Sequence, residues 1–136
     1  MRSDYVEFST LVGEVLISIS GCRTGGDEVI FTTASGRSFR MHHEQDCCES
    51  VQLEEIIGDP VILLNLPITL ARVDTNENPP NERQGVDWRR GEEGGTWTFY
   101  NIGTARGTVT LRWLGTSNGY YSESVSFEEL KPDAQA

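Results

Sequence analysis

Wherever this chain is apolar, it tends to alternate. Val15, Ile17 and Ile19 alternate with Leu16, Ser18 and Ser20. Val29, Phe31 and Thr33 form a second such set, and Phe39, Met41 and His43 a third. Trp97, Phe99 and Asn101 then alternate with Thr98, Tyr100 and Ile102, and Val109, Leu111 and Trp113 with Thr108, Thr110 and Arg112. A period of two places successive side chains on opposite faces of a strand, so a chain built this way folds into sheets. Gly25-Gly26, Ser35-Gly36 and Asn118-Gly119 punctuate the runs with turn signals. Residues 28–43 therefore read as a β-hairpin. Residues 97–127 read as a three-stranded meander, its last turn at Asn118-Gly119 and its last strand carrying Tyr121, Glu123, Val125 and Phe127.

Three stretches break the pattern. Val51, Leu53, Ile56 and Ile57 fit neither the strand nor the helix period, leaving a short helix near 50–57 or a bulged strand open. Val61 to Leu66 is an apolar run stopped by Pro67, which marks a bend or an edge. Residues 74–95 carry little apolar content, so the sequence predicts a long polar loop there. The polar end, 129–136, is expected to fray. With 136 residues the chain is the size of one domain, 1–136, able to bury a core without disulfides. The fold expected is mainly β, an antiparallel sandwich or open roll of about seven strands with at most one short helix.

One echo runs through the sequence. Residues 48–56 read Cys-Glu-Ser-Val-Gln-Leu-Glu-Glu-Ile and residues 122–130 read Ser-Glu-Ser-Val-Ser-Phe-Glu-Glu-Leu. Two equivalent strands of a pseudo-symmetric sheet pair would produce it, and so would chance. If it is real, Glu49 matches Glu123 and Val51 matches Val125.

Charge narrows the function classes. The formal net charge is −10, from 21 acids against 11 bases, and ten of those bases are Arg. Such a chain repels a long nucleic acid but can be steered onto a basic protein surface. No apolar run approaches the roughly 18 residues that span a bilayer. The three cysteines, Cys22, Cys47 and Cys48, are odd in number, and no signal segment precedes them. Reduced thiols in a cytosol follow as the expectation.

Four blocks of sequence carry a resemblance. They are Val29-Ile30-Phe31-Thr32-Thr33 leading to Phe39-Arg40-Met41, His43-Glu44-Gln45-Asp46-Cys47-Cys48-Glu49-Ser50-Val51, Trp97-Thr98-Phe99-Tyr100, and Gly107 to Trp113 followed by Ser117-Asn118-Gly119-Tyr120-Tyr121-Ser122-Glu123-Ser124-Val125. Over roughly residues 12–127 the chain resembles a small uncharacterised family of tailed-phage and prophage domains. The resemblance implies a phage-encoded protein made in the host bacterial cytoplasm. It brings no activity with it, and it does not extend to Trp88-Arg89-Arg90.

Candidate sites follow from residue types. Glu44, Asp46, Glu49 and Glu123 would converge if the strands bearing Glu49 and Glu123 are neighbours, giving carboxylates that grip a basic partner. Trp88, Arg89 and Arg90 are of the types enriched at binding hot spots, in a loop that offers Trp88 no core. By analogy with phage accessory proteins of this size and acidity, the resemblance implies as the leading expectation a non-enzymatic binding protein that blocks a host protein, or a defence or nucleic-acid-handling complex, through an acidic face. The alternative is a pocket that sequesters a small ligand such as a nucleotide, with Arg106, Arg112, Tyr120 and Tyr121 as its contacts. Trp97, Tyr100 and Trp113 are further candidates for a stacking platform, or else core residues. A third reading places zinc on His43, Asp46, Cys47 and Cys48, whose types suit zinc although adjacent cysteines rarely share one ion. The acids around Cys47 and Cys48 disfavour a reactive thiolate, so no catalytic residue and no cofactor is assigned. Homo-oligomerisation and a place in the virion stay open.

Overall fold

A computed structural model of the chain describes residues 2–43, 49–77, 94–117 and 124–131. Nine strands are formed among them: β1 (Arg2–Tyr5), β2 (Leu16–Ser20), β3 (Glu28–Thr33), β4 (Ser38–His42), β5 (Ser50–Ile57), β6 (Leu70–Glu77), β7 (Gly94–Thr104), β8 (Gly107–Ser117) and β9 (Ser126–Lys131). They make two antiparallel sheets, ordered β1-β9-β4-β3-β2 and β5-β8-β7-β6. The mainly β fold expected from the alternation is present, as two sheets packed on one core. Two 3-10 turns, Phe8–Leu11 and Pro60–Leu63, are the only helical pieces described, and no described helix is long and apolar enough to cross a membrane.

The hairpin at 28–43 forms with Val29 opposite Met41 and Phe31 opposite Phe39. Gly36 sits in its turn at φ +92°, a conformation that L side chains rarely adopt. Val29, Phe31, Phe39 and Met41 are fully buried. They meet Leu53, Ile102, Val109, Leu111 and Trp113 from the second sheet in one core. Phe127 joins the layers: its ring lies 5.0 Å from Phe8 and stacks on Phe39 at 5.5 Å.

One open alternative is settled and three expectations need correction. Residues 50–57 are the bulged strand rather than the helix; the pairing of β5 with β8 shifts register between Leu53 and Glu55. That bulge puts Ile56 toward the core instead of Glu55, which is why neither period fitted. In β2, Leu16 is buried while Ile17 is exposed, because a similar shift falls between Leu16 and Ser18. The polar stretch 74–95 is shorter as a connection, since β6 runs to Glu77 and β7 starts at Gly94.

The third correction concerns the last strand. The C-terminal meander loses it: β9 leaves β8 and pairs in the other sheet with both β1 and β4. Residues 129–131, expected to fray, thus lie in an interior strand. Glu128 and Glu129 are buried there because arginines of the first sheet meet them. Arg40 Nη2 donates to Glu128 at 2.8 Å. Arg37 clamps Glu129 with two bonds of 2.9 and 3.0 Å and reaches Glu14 at 2.6 Å. The Arg37 bonds hold the Glu129 carboxyl below its ordinary range against the opposing effect of burial.

The sequence echo has a topological basis. Strands β2, β3 and β4 form a meander, and β5 then crosses to pair with β8. Strands β6, β7 and β8 form a meander, and β9 then crosses to pair with β4. The orders β9-β4-β3-β2 and β5-β8-β7-β6 therefore correspond strand for strand, with β1 as the addition. Phe127 faces Met41 in one copy and Leu53 faces Trp113 in the other. Met41 and Trp113 are thus equivalent positions, and they touch: the indole N–H donates to the Met41 sulfur at 3.2 Å.

Candidate functional site

On β6 and β7 the core-facing positions change character along the strand. Ile102 and Tyr100 are apolar or aromatic, whereas Thr98 and Thr96, nearer the start of β7, are hydroxyls. Across the ladder Tyr100 faces Val73 and Thr98 faces Thr75. Opposite them run Val6, Glu7 and Phe8, which link β1 to the first 3-10 turn, and Ser124 and Val125, which lead into β9. These elements leave a cleft of about 540 Å³, closed at its inner end by Phe8, Tyr100 and Phe127. Its volume lies in the ordinary range for small-molecule sites, roughly 300–1,000 Å³.

Two hydroxyls define its chemistry. Tyr100 donates to the Val125 carbonyl at 3.3 Å, and burial raises its phenol well above the ordinary range, so it stays protonated. Thr98 is 2% exposed, and its Oγ1 has no hydrogen-bond partner among the described residues. A buried hydroxyl left unbonded costs about 1–3 kcal/mol, and Thr98 is one of the residues that line the cleft. The described lining holds no cation, and its one charged group is the exposed Glu7.

A second polar centre lies beyond the Ser124–Val125 wall. His43, just past β4, and Glu49, just before β5, bracket the crossing between sheets. Their Nε2 and Oε2 atoms are 2.6 Å apart, with both side chains almost fully buried. The other ring nitrogen, Nδ1, lies 2.7 Å from the Ser124 carbonyl. A carbonyl only accepts, so Nδ1 carries a proton, and a second proton is held between Nε2 and the Glu49 carboxyl.

The residues singled out in the sequence fare unevenly. Glu49 is buried against His43 and cannot belong to an acidic face, because an imidazole rather than solvent takes its carboxyl. Glu44, Asp46, Trp88, Arg89, Arg90 and Glu123 lie outside the described residues, as do Cys47, Cys48, Tyr120 and Tyr121. Arg106 and Arg112 are not brought together. Arg106 sits in the β7–β8 turn, while Arg112 lies on the outer face of the sheet, its guanidinium 4.5 Å over the Trp97 ring and paired with Glu55. Neither lines the cleft. Trp97, Tyr100 and Trp113 form no common platform, since Tyr100 and Trp113 are core residues and Trp97 faces the other way. Both ring nitrogens of His43 are engaged, so a metal at either would displace a bond. Among the described residues no three His, Cys, Asp or Glu side chains are placed to hold an ion.

Sequence reasoning missed Thr98 and Phe8 as cleft residues. The available signal was a pair of threonines, Thr96 and Thr98, on the same strand face as Tyr100 and Ile102. The chain belongs to the family described as Domain of unknown function (DUF7448), whose model matches residues 9–127. No curated protein and no solved structure matches it.

Proposed function

We propose that this DUF7448 member is a non-enzymatic binding protein whose cleft takes a small uncharged molecule with a flat, mostly apolar body and a hydrogen-bonding edge. The buried, unbonded hydroxyl of Thr98 carries this reading, because it offers an incoming ligand a bond that the described residues do not satisfy. The aromatic inner wall suits a ring. A phosphate would enter a strongly acidic protein at a site whose described lining offers it no counter-charge. The nucleotide expected from the sequence therefore narrows to a nucleoside-like or base-like molecule.

Thermal unfolding with adenosine, guanosine or indole, beside adenosine and guanosine monophosphates, tests this. A ligand at 100 times its Kd stabilises by about 2.7 kcal/mol. At least one uncharged compound is expected to raise Tm, and its phosphorylated form to raise it less. Thr98→Val should weaken that binding by roughly tenfold while making the empty protein more stable by up to about 1 kcal/mol, since an unbonded buried hydroxyl is removed. Equal binding by Thr98→Val, or no shift with any uncharged compound, overturns the reading.

A second reading, an acidic face that occupies a basic host protein, is favoured by the surface charge. Arg37, Arg40, Arg72, Arg112 and Lys131 are all paired with carboxylates. Glu7, Asp27, Glu54 and Asp59 are exposed and form no ion pair among the described residues. Asp27 follows Gly26 and Glu54 follows Leu53, where the β2–β3 connection meets β5 through backbone hydrogen bonds of 2.7 and 2.8 Å between Gly25, Gly26 and Leu53. Charge reversal of Asp27 and Glu54 to Lys should slow capture of a host partner at low salt by about tenfold or more. An unchanged rate counts against this face.

A further inference from the structure

We propose that the buried His43–Glu49 pair is the positioning element of the cleft, acting through the Ser124–Val125 wall. The inference rests on the cleft reading only for its effect on ligand binding. Ser124 and Val125 both line the cleft. The same two residues are held from opposite sides: the Ser124 carbonyl accepts from His43 Nδ1 at 2.7 Å, and the Val125 carbonyl accepts from Tyr100 at 3.3 Å. Tyr100 is itself the inner wall and faces Val73 across the ladder. The wall is thus a short strap between two tethers, one of which is made inside the ligand site.

The tether at His43 is not a loose surface contact. The His43 side chain is 4% exposed and that of Glu49 0%, so neither can trade its partner for bulk water without moving. Glu49 fixes the ring by bonding Nε2, and the fixed ring presents Nδ1–H to Ser124. The arrangement also ties together the two places where the chain crosses between sheets, 43–49 and the approach to β9. When Glu49 no longer orients the imidazole, the Ser124 carbonyl loses the His43 N–H. The strap then pivots on the Tyr100 bond, and the cleft changes width at the hydroxyl-lined end. Neither His43 nor Glu49 touches the ligand; both are positioning residues.

The test reads the wall first and the ligand second. NMR spectra of the full chain without ligand are compared for the wild type, Glu49→Ala, Glu49→Gln and the double replacement His43→Leu/Glu49→Leu. A glutamine amide can still hold neutral imidazole with Nδ1–H on Ser124, so Glu49→Gln should stay close to wild type. The double variant exchanges a buried polar pair for apolar side chains, a change often neutral for folding, but it removes the His43 N–H from the Ser124 carbonyl. It and Glu49→Ala should move the Val125 methyl and Tyr100 ring resonances while leaving Val109 and Ile102 in place. Indole affinity should fall at least fivefold in both and recover in Glu49→Gln. Unmoved Val125 and Tyr100 resonances in the folded double variant overturn the proposal. Moved resonances in a protein that binds indole as well as the wild type overturn it too. Moved resonances together with a wild type that binds none of adenosine, guanosine and indole support the tether and overturn the cleft reading instead.

Discussion

Trp113→Ala is expected to lower the unfolding free energy by about 3–5 kcal/mol, the usual loss for a buried aromatic truncated in a core. Trp113 is fully buried in the middle of β8, the strand that pairs with both β5 and β7. It sits at the centre of the pseudo-symmetric core, touching its equivalent, Met41, with the indole N–H on the sulfur. Removing the ring opens a void between two sheets whose strands are fixed by register, so little can move in to fill it. Denaturant unfolding should show the lower midpoint with an unchanged slope, and Tm should fall on the order of 10–20 °C. Trp113→Phe keeps most of the apolar contact and should lose far less. A loss below about 1 kcal/mol for the alanine variant would mean that the two sheets do not share one core.

Glu128→Ala is expected to cost about 2–3 kcal/mol. Its side chain is 2% exposed, and it accepts from Arg40 at 2.8 Å while its other oxygen lies 3.5 Å from His42. Breaking a buried pair by removing one partner typically costs about 3–5 kcal/mol, because the remaining charge is stranded. The Arg40 side chain is 28% exposed and keeps Glu28 at 3.5 Å, so solvent and a second carboxylate reduce that cost. Arg40→Met/Glu128→Leu should recover part of the loss, since apolar residues need no partner there. If Glu128→Ala unfolds at the wild-type midpoint, β9 is not held by this pair.

These two residues mark the limits of sequence reading. Trp113 was legible as strand, because Val109, Leu111 and Trp113 share one parity. Glu128 was not legible as core: a Glu-Glu pair near a chain end reads as solvated. Its burial depends on Arg40 of β4, as that of its neighbour Glu129 depends on Arg37 just before β4. The meander ending at Phe127 failed for a related reason. Alternation says that a segment is a strand but not which sheet receives it. In the candidate site, Tyr100 stands out in the sequence as an aromatic, whereas Thr98 does not, because a threonine in a strand is ordinary until the cavity beside it is known. Glu49 was placed on the surface by its charge, and the buried imidazole of His43 reverses that assignment.

By itself the sequence determined that the chain is β, where the 28–43 hairpin turns, which faces of β3, β4 and β8 are apolar, and that the protein is acidic. All of these depend on neighbours within a few residues, where backbone geometry fixes the outcome. Tertiary structure alone decided the crossing of β5 and β9 between sheets, the bulge that turns Ile56 inward, the burial of Glu49, Glu128 and Glu129, and the cleft that isolates the Thr98 hydroxyl. Each of these depends on a partner distant in the chain, and whether a polar group is buried turns on whether that partner arrives to bond it.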